Sequence, residues 1–198
     1  GDGVRSENEI LSGLERQTQE EGHLLAYFDA FPPAHAFSDR IYTQLPDRTN
    51  VPAAFGDQVA VDDNERIVYV EPRLLLNSLR LDFETAVAWI TEAGGLAVPA
   101  HVDREPYGLI TQLGFVPPGL DLPLAEADGD ELPAACHDSR LVWSSDSHWP
   151  EAVGRRVTLF RMEAPTVAEL RLAASGVGGR TLAVERRLSA EAASRRRT

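Results

Sequence analysis

Short apolar runs bounded by turn residues recur along the chain, and each run is typical of a buried β-strand. Residues 22–28 show this pattern clearly, because five apolar side chains follow Gly22 and His23. The pair Ile10-Leu11 indicates the end of an earlier strand. Further strands are predicted at residues 96–101, 122–126, 141–143 and 157–160.

Helical segments alternate with these strands. The Pro32-Pro33 pair opens a helix that extends to Leu45, since proline is tolerated in a first turn. Asp82 is the predicted N-cap of a further helix that ends at Gly94. The alternation predicts an α/β fold with a mostly parallel sheet. The remaining predicted elements are helices at residues 72–79, 107–113 and 166–174, and a β-hairpin formed by residues 58–61 and 67–70.

The composition is that of one globular domain. The 198 residues are 43% hydrophobic and 25% charged, which allows a full core. Residues 1–179 are assigned to this domain, and residues 180–198, with six Arg, predict a disordered tail. No run approaches the ~20 apolar residues of a membrane-spanning helix. The single cysteine, Cys136, excludes an internal disulfide framework and favours a cytoplasmic location.

The charge of the chain narrows the expected partners. The 19 basic and 31 acidic residues give a net charge of −12. This charge predicts no bulk binding to nucleic acid or to an anionic membrane, although a local positive pocket could still hold one phosphate. Every basic residue is Arg, so mechanisms that need a lysine are excluded.

Candidate metal ligands stand where predicted strands begin or end. His101 ends one strand, and Asp146 and His148 follow the next, at the strand ends where parallel α/β folds place their active sites. Because alternate residues of an extended segment point the same way, Asp146 and His148 are predicted to face one cavity. Glu15 and His23 flank the approach to the second strand. Mixed His and carboxylate ligands suit Zn²⁺, Mn²⁺ or Fe²⁺.

Each of these residues also has an ordinary structural interpretation. His101 can be a hydrogen-bonded polar residue at a strand end, Asp146 a helix N-cap and Glu15 a solvated turn residue. What favours a metal site is that three of the five histidines fall at such positions. His35 and His137 do not fit this pattern, and we expect them to be structural or surface residues.

These motifs, in this order, resemble the polymerase and histidinol phosphatase (PHP) family of metal-dependent phosphoesterases. The resemblance rests on residues 13–25, on residues 99–104 (Pro-Ala-His-Val-Asp-Arg) and on residues 145–148 (Ser-Asp-Ser-His). It extends over residues 10–178 and is greatest to stand-alone bacterial PHP proteins that carry a hairpin insertion. Residues 55–58 and 112–117 also look like that subgroup.

The resemblance implies a distorted (β/α)₇ barrel with two or three divalent ions at the carboxyl ends of its strands. It implies that Glu15, His23 and His101 bind one ion, that Glu15 and Asp146 share a second, and that His148 binds a third. The family also has an H-x-H motif on its first strand, which this sequence lacks. We therefore expect an incomplete barrel, as in a C-terminal fragment of a longer PHP protein.

The resemblance also implies a mechanism in which a metal-activated hydroxide attacks phosphorus. Asp146 and His148 are the predicted catalytic residues, with His148 protonating the leaving group. Arg104 is the candidate for binding the substrate phosphate, because a guanidinium can bind two phosphate oxygens at once. The alternative for Arg104 is an ion pair with Glu105 or Asp103.

The function expected from this resemblance is hydrolysis of a small phosphomonoester or of a nucleotide-type substrate. The alternative is a truncated PHP remnant that binds metal or serves as a structural module without catalysis. An upstream H-x-H motif would distinguish these two. A metal-dependent amidohydrolase is a third interpretation, and the absence of lysine counts against it because such enzymes often use a carbamylated lysine.

Overall fold

The structure is a computed structural model that describes residues 10–187, and in it strands and helices follow each other in mixed order. The strands are β1 (Ser12–Gln17), β2 (His23–Phe28), β3 (Val59–Val61), β4 (Ile67–Val70), β5 (Leu96–Pro99), β6 (Leu124–Glu126), β7 (Arg140–Val142), β8 (Arg156–Arg161) and β9 (Thr181–Arg186). The helices are α1 (Phe31–Tyr42), α2 (Pro52–Phe55), α3 (Phe83–Glu92), α4 (Leu109–Leu113) and α5 (Val167–Ser175).

A three-stranded antiparallel sheet lies at the centre of the fold, in the order β1-β2-β5. β2 is its middle strand, with Leu25 opposite Glu15 of β1 on one side and opposite Val98 of β5 on the other. Five residues separate β1 from β2, and so short a connection permits only antiparallel pairing.

Two hydrophobic cores lie on the two faces of this sheet. Alternate residues of a strand point to opposite faces, so Leu24, Ala26 and Phe28 of β2 pack into the larger core with α1 and α3. The intervening residues Leu25 and Tyr27 pack against the smaller core, to which β5, β6 and α5 contribute. All four residues of β5 are buried, as expected for a strand covered on both faces.

The prediction of a mostly parallel sheet is wrong. β6 and β7 form the parallel pair, whereas β1-β2, β2-β5, β3-β4 and β8-β9 are all antiparallel. The fold is mixed α/β with several small sheets, and no sheet closes into a barrel within residues 10–187. The alternation of strands and helices does not determine strand direction, because the pairing partner of each strand is set by tertiary contacts.

The predicted β-hairpin is confirmed as β3 and β4. Asp62 stabilises the turn between them, because its carboxylate accepts hydrogen bonds from the backbone N–H groups of Asn64 and Arg66. The residues of both strands are exposed. The hairpin therefore projects from the cores and adds little to them.

The helix predicted over residues 72–79 does not form. Its apolar residues have helical spacing, but their backbone groups bond to distant parts of the chain. The N–H of Leu74 donates to the carbonyl of Arg48, and the N–H of Leu79 donates to that of Gln17. These long-range hydrogen bonds hold the segment in an irregular, extended path beside β1.

The tail prediction is wrong for the part of it that the structure describes. Residues 181–186 form β9, which pairs antiparallel with β8, and Leu182 packs against the smaller core. Leu182 and Val184 alternate with exposed neighbours, as a half-buried strand requires. The tail prediction rested on the number of Arg residues and did not use this alternation. The rest of the predicted tail, residues 188–198, lies outside the described residues.

The predicted N-cap of α3, Asp82, is confirmed, and Thr166, predicted as the first residue of a helix, is the N-cap of α5. The Asp82 carboxylate accepts a hydrogen bond from the N–H of Thr85 at the start of α3, and Thr166 caps α5 in the same way. α4 begins at Leu109 rather than at residue 107, and the residue that ends it is Gly114. β1 begins at Ser12, so Ile10 and Leu11 precede a strand and do not end one. None of the described helices has the length and hydropathy required to cross a membrane.

We predict that Gly95→Ala destabilises the larger core. A Cβ at residue 95 would lie 2.7 Å from Cε1 of Phe28 and 3.0 Å from Cγ2 of Ile90, both buried. Overpacking of this kind costs about 1–3 kcal/mol. Gly22→Ala is the matched control, because its nearest neighbour would be 3.7 Å away, an ordinary contact distance. Urea unfolding measures both, and equal stability of the two variants would contradict this description of the core.

Candidate metal centre

The pairing of the central sheet brings Glu15 and His23 together. Glu15 is directly opposite Leu25, and His23 is two residues before Leu25, so both side chains lie on one face of the sheet. Nδ1 of His23 lies 2.9 Å from Oε1 of Glu15. The antiparallel register alone therefore places these two predicted ligands in contact.

His101 reaches the same point from β5. It follows the end of β5 by two residues, and the hydrogen bond from the Ala100 N–H to the His23 carbonyl extends the pairing up to it. Nε2 of His101 lies 3.2 Å from Nδ1 of His23 and 3.6 Å from Oε1 of Glu15. Within residues 10–187, these three residues are the one group of three or more His, Cys, Asp or Glu side chains whose ligand atoms converge.

The three donor atoms fit a divalent cation. Zn–N and Zn–O bonds of about 2.0–2.1 Å in tetrahedral geometry place neighbouring ligand atoms about 3.3 Å apart. The observed separations of 2.9, 3.2 and 3.6 Å are close to this value. One carboxylate and two imidazoles also suit Mn²⁺ and Fe²⁺, so the donor set does not select a single metal.

Burial and hydrogen bonding prepare these residues to act as ligands. The close imidazole of His101 and then the hydrogen bond with His23 lower the pKa of Glu15 from 4.5 to about 2, outweighing the opposing effect of burial. Glu15 is therefore ionised at neutral pH. His101 is almost fully buried, and its Nδ1 has no hydrogen-bond partner among the described residues.

The cluster lies in a cavity of about 660 Å³. Polar and apolar side chains both line it, and they come from β1, β2, the segments that follow β5 and β7, and residues 48–77. The lining residues are Glu15, Gln17, His23, Arg48, Phe55, Leu74, Leu76, Asn77, His101, Arg104, Pro106, Tyr107, Asp146 and His148.

Asp146 and His148 line this cavity, but their ligand atoms do not converge with the cluster. The segment after β7 is not a strand, and Asp146 has a φ of +40°, so the alternation expected of an extended segment does not apply. The Asp146 carboxylate binds Arg104 instead. His148 is exposed, with its Nδ1 3.0 Å from the carbonyl oxygen of Asp146.

Arg104 is held by two carboxylates. Its guanidinium donates to both oxygens of Asp128, at 2.7 and 3.0 Å, and to Oδ2 of Asp146. Asp128 is the main cause of the raised pKa of Arg104. The predicted alternative partners are wrong, since Asp103 instead accepts hydrogen bonds from the backbone N–H groups of Asp128 and Gly129. The positive charge of this guanidinium therefore offsets two carboxylates beside the candidate metal centre.

Glu126 and Tyr107 were not predicted as site residues. Glu126 ends β6 and is buried, so the signal that singled out His101, a polar residue ending an apolar run, also applies to it. Ser144 Oγ donates to its carboxylate, and burial raises its pKa. Tyr107 stacks on His23 with ring centroids 4.8 Å apart. No sequence signal identifies Tyr107, because its position depends on a left-handed backbone conformation.

Unfavourable backbone conformations are concentrated in this cavity. His101, Tyr107 and Asp146 have positive φ values of +28°, +77° and +40°. They are three of the five described non-glycine residues with positive φ. Such conformations cost about 1–3 kcal/mol each and are typical of functional sites. The two histidines predicted to be structural or surface residues lie outside this cavity. His35 and His137 are much more exposed than His23 and His101, and each pairs with a nearby aspartate.

Two solved structures share this fold. The lesion-specific endonuclease PfuEndoQ from Pyrococcus furiosus matches with a TM-score of 0.61 and 20% identity over 86% of this chain. Endonuclease Q in complex with a 27-mer duplex substrate, with an abasic lesion at the active site, matches with a TM-score of 0.57 and 21% identity over 85% of this chain. This chain spans 40% of the length of each. No protein-family model and no curated protein matches it.

These likenesses bear on the fold and on one expectation. At 20–21% identity they show that this chain shares the fold of part of these two endonuclease structures. The expectation of no bulk nucleic-acid binding is contradicted, because one of the two structures with this fold is an endonuclease bound to a 27-mer duplex substrate. Net charge averages over the whole surface, whereas nucleic acid contacts one face of it.

We predict that Glu126→Gln stabilises the metal-free protein at alkaline pH. A carboxyl whose folded pKa is raised binds a proton more tightly in the folded state, so its contribution to stability is lost as pH rises through the folded pKa. The amide of glutamine stays neutral at every pH. Urea unfolding in EDTA should show little difference between variant and wild type below pH 4.5 and a gain for the variant at pH 8.

Glu131→Gln serves as the control, because Glu131 is exposed. It should leave stability unchanged at both pH values. A Glu126→Gln variant less stable than wild type at pH 8 would show that the ionised carboxylate is stabilised in the fold, against this account.

Proposed function

We propose that this chain carries the metal centre of a divalent-metal-dependent hydrolase that cleaves phosphodiester bonds in nucleic acid. The observation that carries the proposal is the convergence of Glu15, His23 and His101 on one point within a large cavity. A carboxylate with a lowered pKa that converges with two imidazoles in a cavity marks a candidate active site on physical grounds.

The choice of substrate class is supported by the fold. The two similar structures are endonucleases, and the substrate bound to one of them is a DNA duplex with an abasic lesion. A phosphodiester also suits the site chemically, because divalent ions neutralise charge on the non-bridging oxygens of phosphate esters during hydrolysis.

The residues of the cluster have distinct roles in this proposal. A divalent ion bound there would supply Lewis-acid polarisation and a more acidic water. Glu15 binds it with a carboxylate that is ionised at neutral pH. His23 and His101 bind through Nδ1 and Nε2, the nitrogens that lie 3.2 Å apart. Tyr107 limits rotation of the His23 ring by stacking on it.

The residues of the opposite wall have supporting roles. His148 is exposed at the cavity, and a proton on its ring can pass to the departing oxygen of the substrate. Asp146 is the residue that would hold a second ion, and such an ion would compete with Arg104 for its carboxylate. Metal occupancy and the position of the Arg104 side chain are therefore coupled.

One observation favours a second candidate function, a metal-binding module without hydrolytic activity. Arg104 donates a hydrogen bond to the Asp146 carboxylate, so this carboxylate is not free to bind an ion. Within the described residues the converging ligands are therefore those of one ion, from Glu15, His23 and His101. A single ion can support hydrolysis, but the same arrangement also suits a structural or binding role.

We predict that Glu15→Gln abolishes metal binding and hydrolysis together. Glutamine keeps the shape of glutamate but loses the charge that attracts the ion. Bound metal after dialysis against Zn²⁺ or Mn²⁺ should fall at least tenfold. Cleavage of single-stranded and duplex oligonucleotides, with and without an abasic site, should fall about 100-fold or more.

His35→Ala is the matched control, because His35 is an exposed histidine on α1 outside the cluster. It should retain both metal and activity. Cleavage by Glu15→Gln at the wild-type rate would contradict the proposed centre. Metal binding by the wild type without cleavage of any of these oligonucleotides would instead favour the non-catalytic module.

A further inference from the structure

The exposed rim of the cavity, here called its mouth, includes large apolar side chains although the metal cluster is polar. Phe55, Leu76 and Tyr107 line the cavity, and they are 50%, 64% and 39% exposed. Large apolar side chains that remain exposed together beside a polar site indicate contact with a ligand. The ligand bound here should therefore present an apolar, planar or bulky group next to the group that the polar cluster binds.

The backbone of Tyr107 has an unfavourable conformation. Its φ of +77° lies in the left-handed region that favours glycine, and its carbonyl accepts the N–H of His23 at 3.0 Å. One face of its ring lies on the His23 imidazole, with an interplanar angle of 13°. A glycine would adopt this backbone with less strain, so the aromatic ring is the group that the position supplies.

Phe55 lines the same cavity from a different part of the chain. It ends the short helix α2, and the next residue, Gly56, reverses the chain with a φ of +79°. The buried side chain of Asn50 donates a hydrogen bond to the Gly56 carbonyl at 2.8 Å, which holds this turn. The phenyl ring is therefore exposed on a fixed backbone and does not lie on a loose loop.

Arg48 is the cation of the cavity wall that remains available to a ligand. It is exposed and makes no ion pair or side-chain hydrogen bond with residues 10–187. Arg104, the other arginine of the cavity, is bound by Asp128 and Asp146. A guanidinium binds phosphate oxygens in a bidentate way, so Arg48 is the better phosphate ligand of the two.

We propose that Tyr107 and Phe55 bind one unstacked nucleobase at the mouth of the cavity while Arg48 binds an adjoining phosphate. The inference rests on the proposed function and defines the substrate class of the same site. Every base has a π-face that can stack on an aromatic ring, so this contact is tolerant of sequence. Within a duplex both faces are covered by neighbours, so the nucleotide must be single-stranded or displaced from the stack.

The test is equilibrium binding in EDTA, which removes hydrolysis from the measurement. Fluorescence anisotropy compares a labelled thymidine 12-mer with a 12-mer of abasic residues that has the same phosphates and no bases. Wild type should bind the base-containing probe about 5- to 100-fold more tightly than the abasic probe, the range expected for aromatic stacking.

The variants separate the base contact from the phosphate contact. Tyr107→Gly and Phe55→Ala should each remove most of the preference for bases and leave affinity for the abasic probe within about twofold. Tyr107→Phe keeps a ring and should retain the preference. Arg48→Gln should weaken both probes equally and reduce the slope of log K against log salt by about 0.7, the loss of one phosphate contact.

Phe115→Ala is the control, because Phe115 is 53% exposed and lies outside the cavity lining. It should behave as wild type. Urea unfolding of Tyr107→Gly supplies a second readout, since relief of the positive φ should keep its stability at or above that of wild type.

Three results would overturn the proposal. Wild type could fail to bind either probe, or bind both equally, or Tyr107→Gly could lose affinity for both probes to the same extent. Failure of the proposed function would give a result different from failure of the nucleobase site. If Glu15→Gln and wild type both bind with the base preference and neither cleaves with added metal, the nucleobase site stands and hydrolysis does not.

Discussion

The candidate metal centre depends on the antiparallel pairing of β2 with both β1 and β5. This pairing sets Glu15 diagonal to His23 on one face and extends to the backbone just before His101. Burial of alternate β2 residues in two cores fixes the register, since a slip of one residue would turn Leu24, Ala26 and Phe28 out of the larger core. The ligand geometry is therefore maintained by the packing of the whole central sheet.

A second constraint is the balance of charge around this cluster. Glu15, Glu126, Asp128 and Asp146 lie in one region of an acidic chain, and Arg104 offsets two of them directly. A divalent ion at the cluster would offset Glu15 in the same way. Arg104 pairs with Asp128 and Asp146, burial raises the pKa of Glu126, and Glu15 is available to a metal, so each carboxylate in this region is accommodated in a different way.

Features with a local signal could be predicted from the sequence. The α3 N-cap at Asp82, the β3-β4 hairpin and the polar residues ending apolar runs, including His101, are all encoded within a few residues. Strand direction, the irregular path of residues 72–79 and the pairing of Asp146 with Arg104 depend on distant partners. β9 was not predicted because its Arg residues suggested a tail, although its apolar residues alternate as in a strand. Tyr107 was not predicted because tyrosine rarely adopts the positive φ that it has here.

The central claim is that Glu15, His23 and His101 together hold a divalent cation. Crystals of the chain grown with Zn²⁺ or Mn²⁺, with diffraction data collected on both sides of the metal absorption edge, test it most directly. We expect an anomalous difference peak about 2.0–2.2 Å from Oε1 of Glu15, Nδ1 of His23 and Nε2 of His101. No peak at that position, or a peak found only between Asp128 and Asp146, would contradict it.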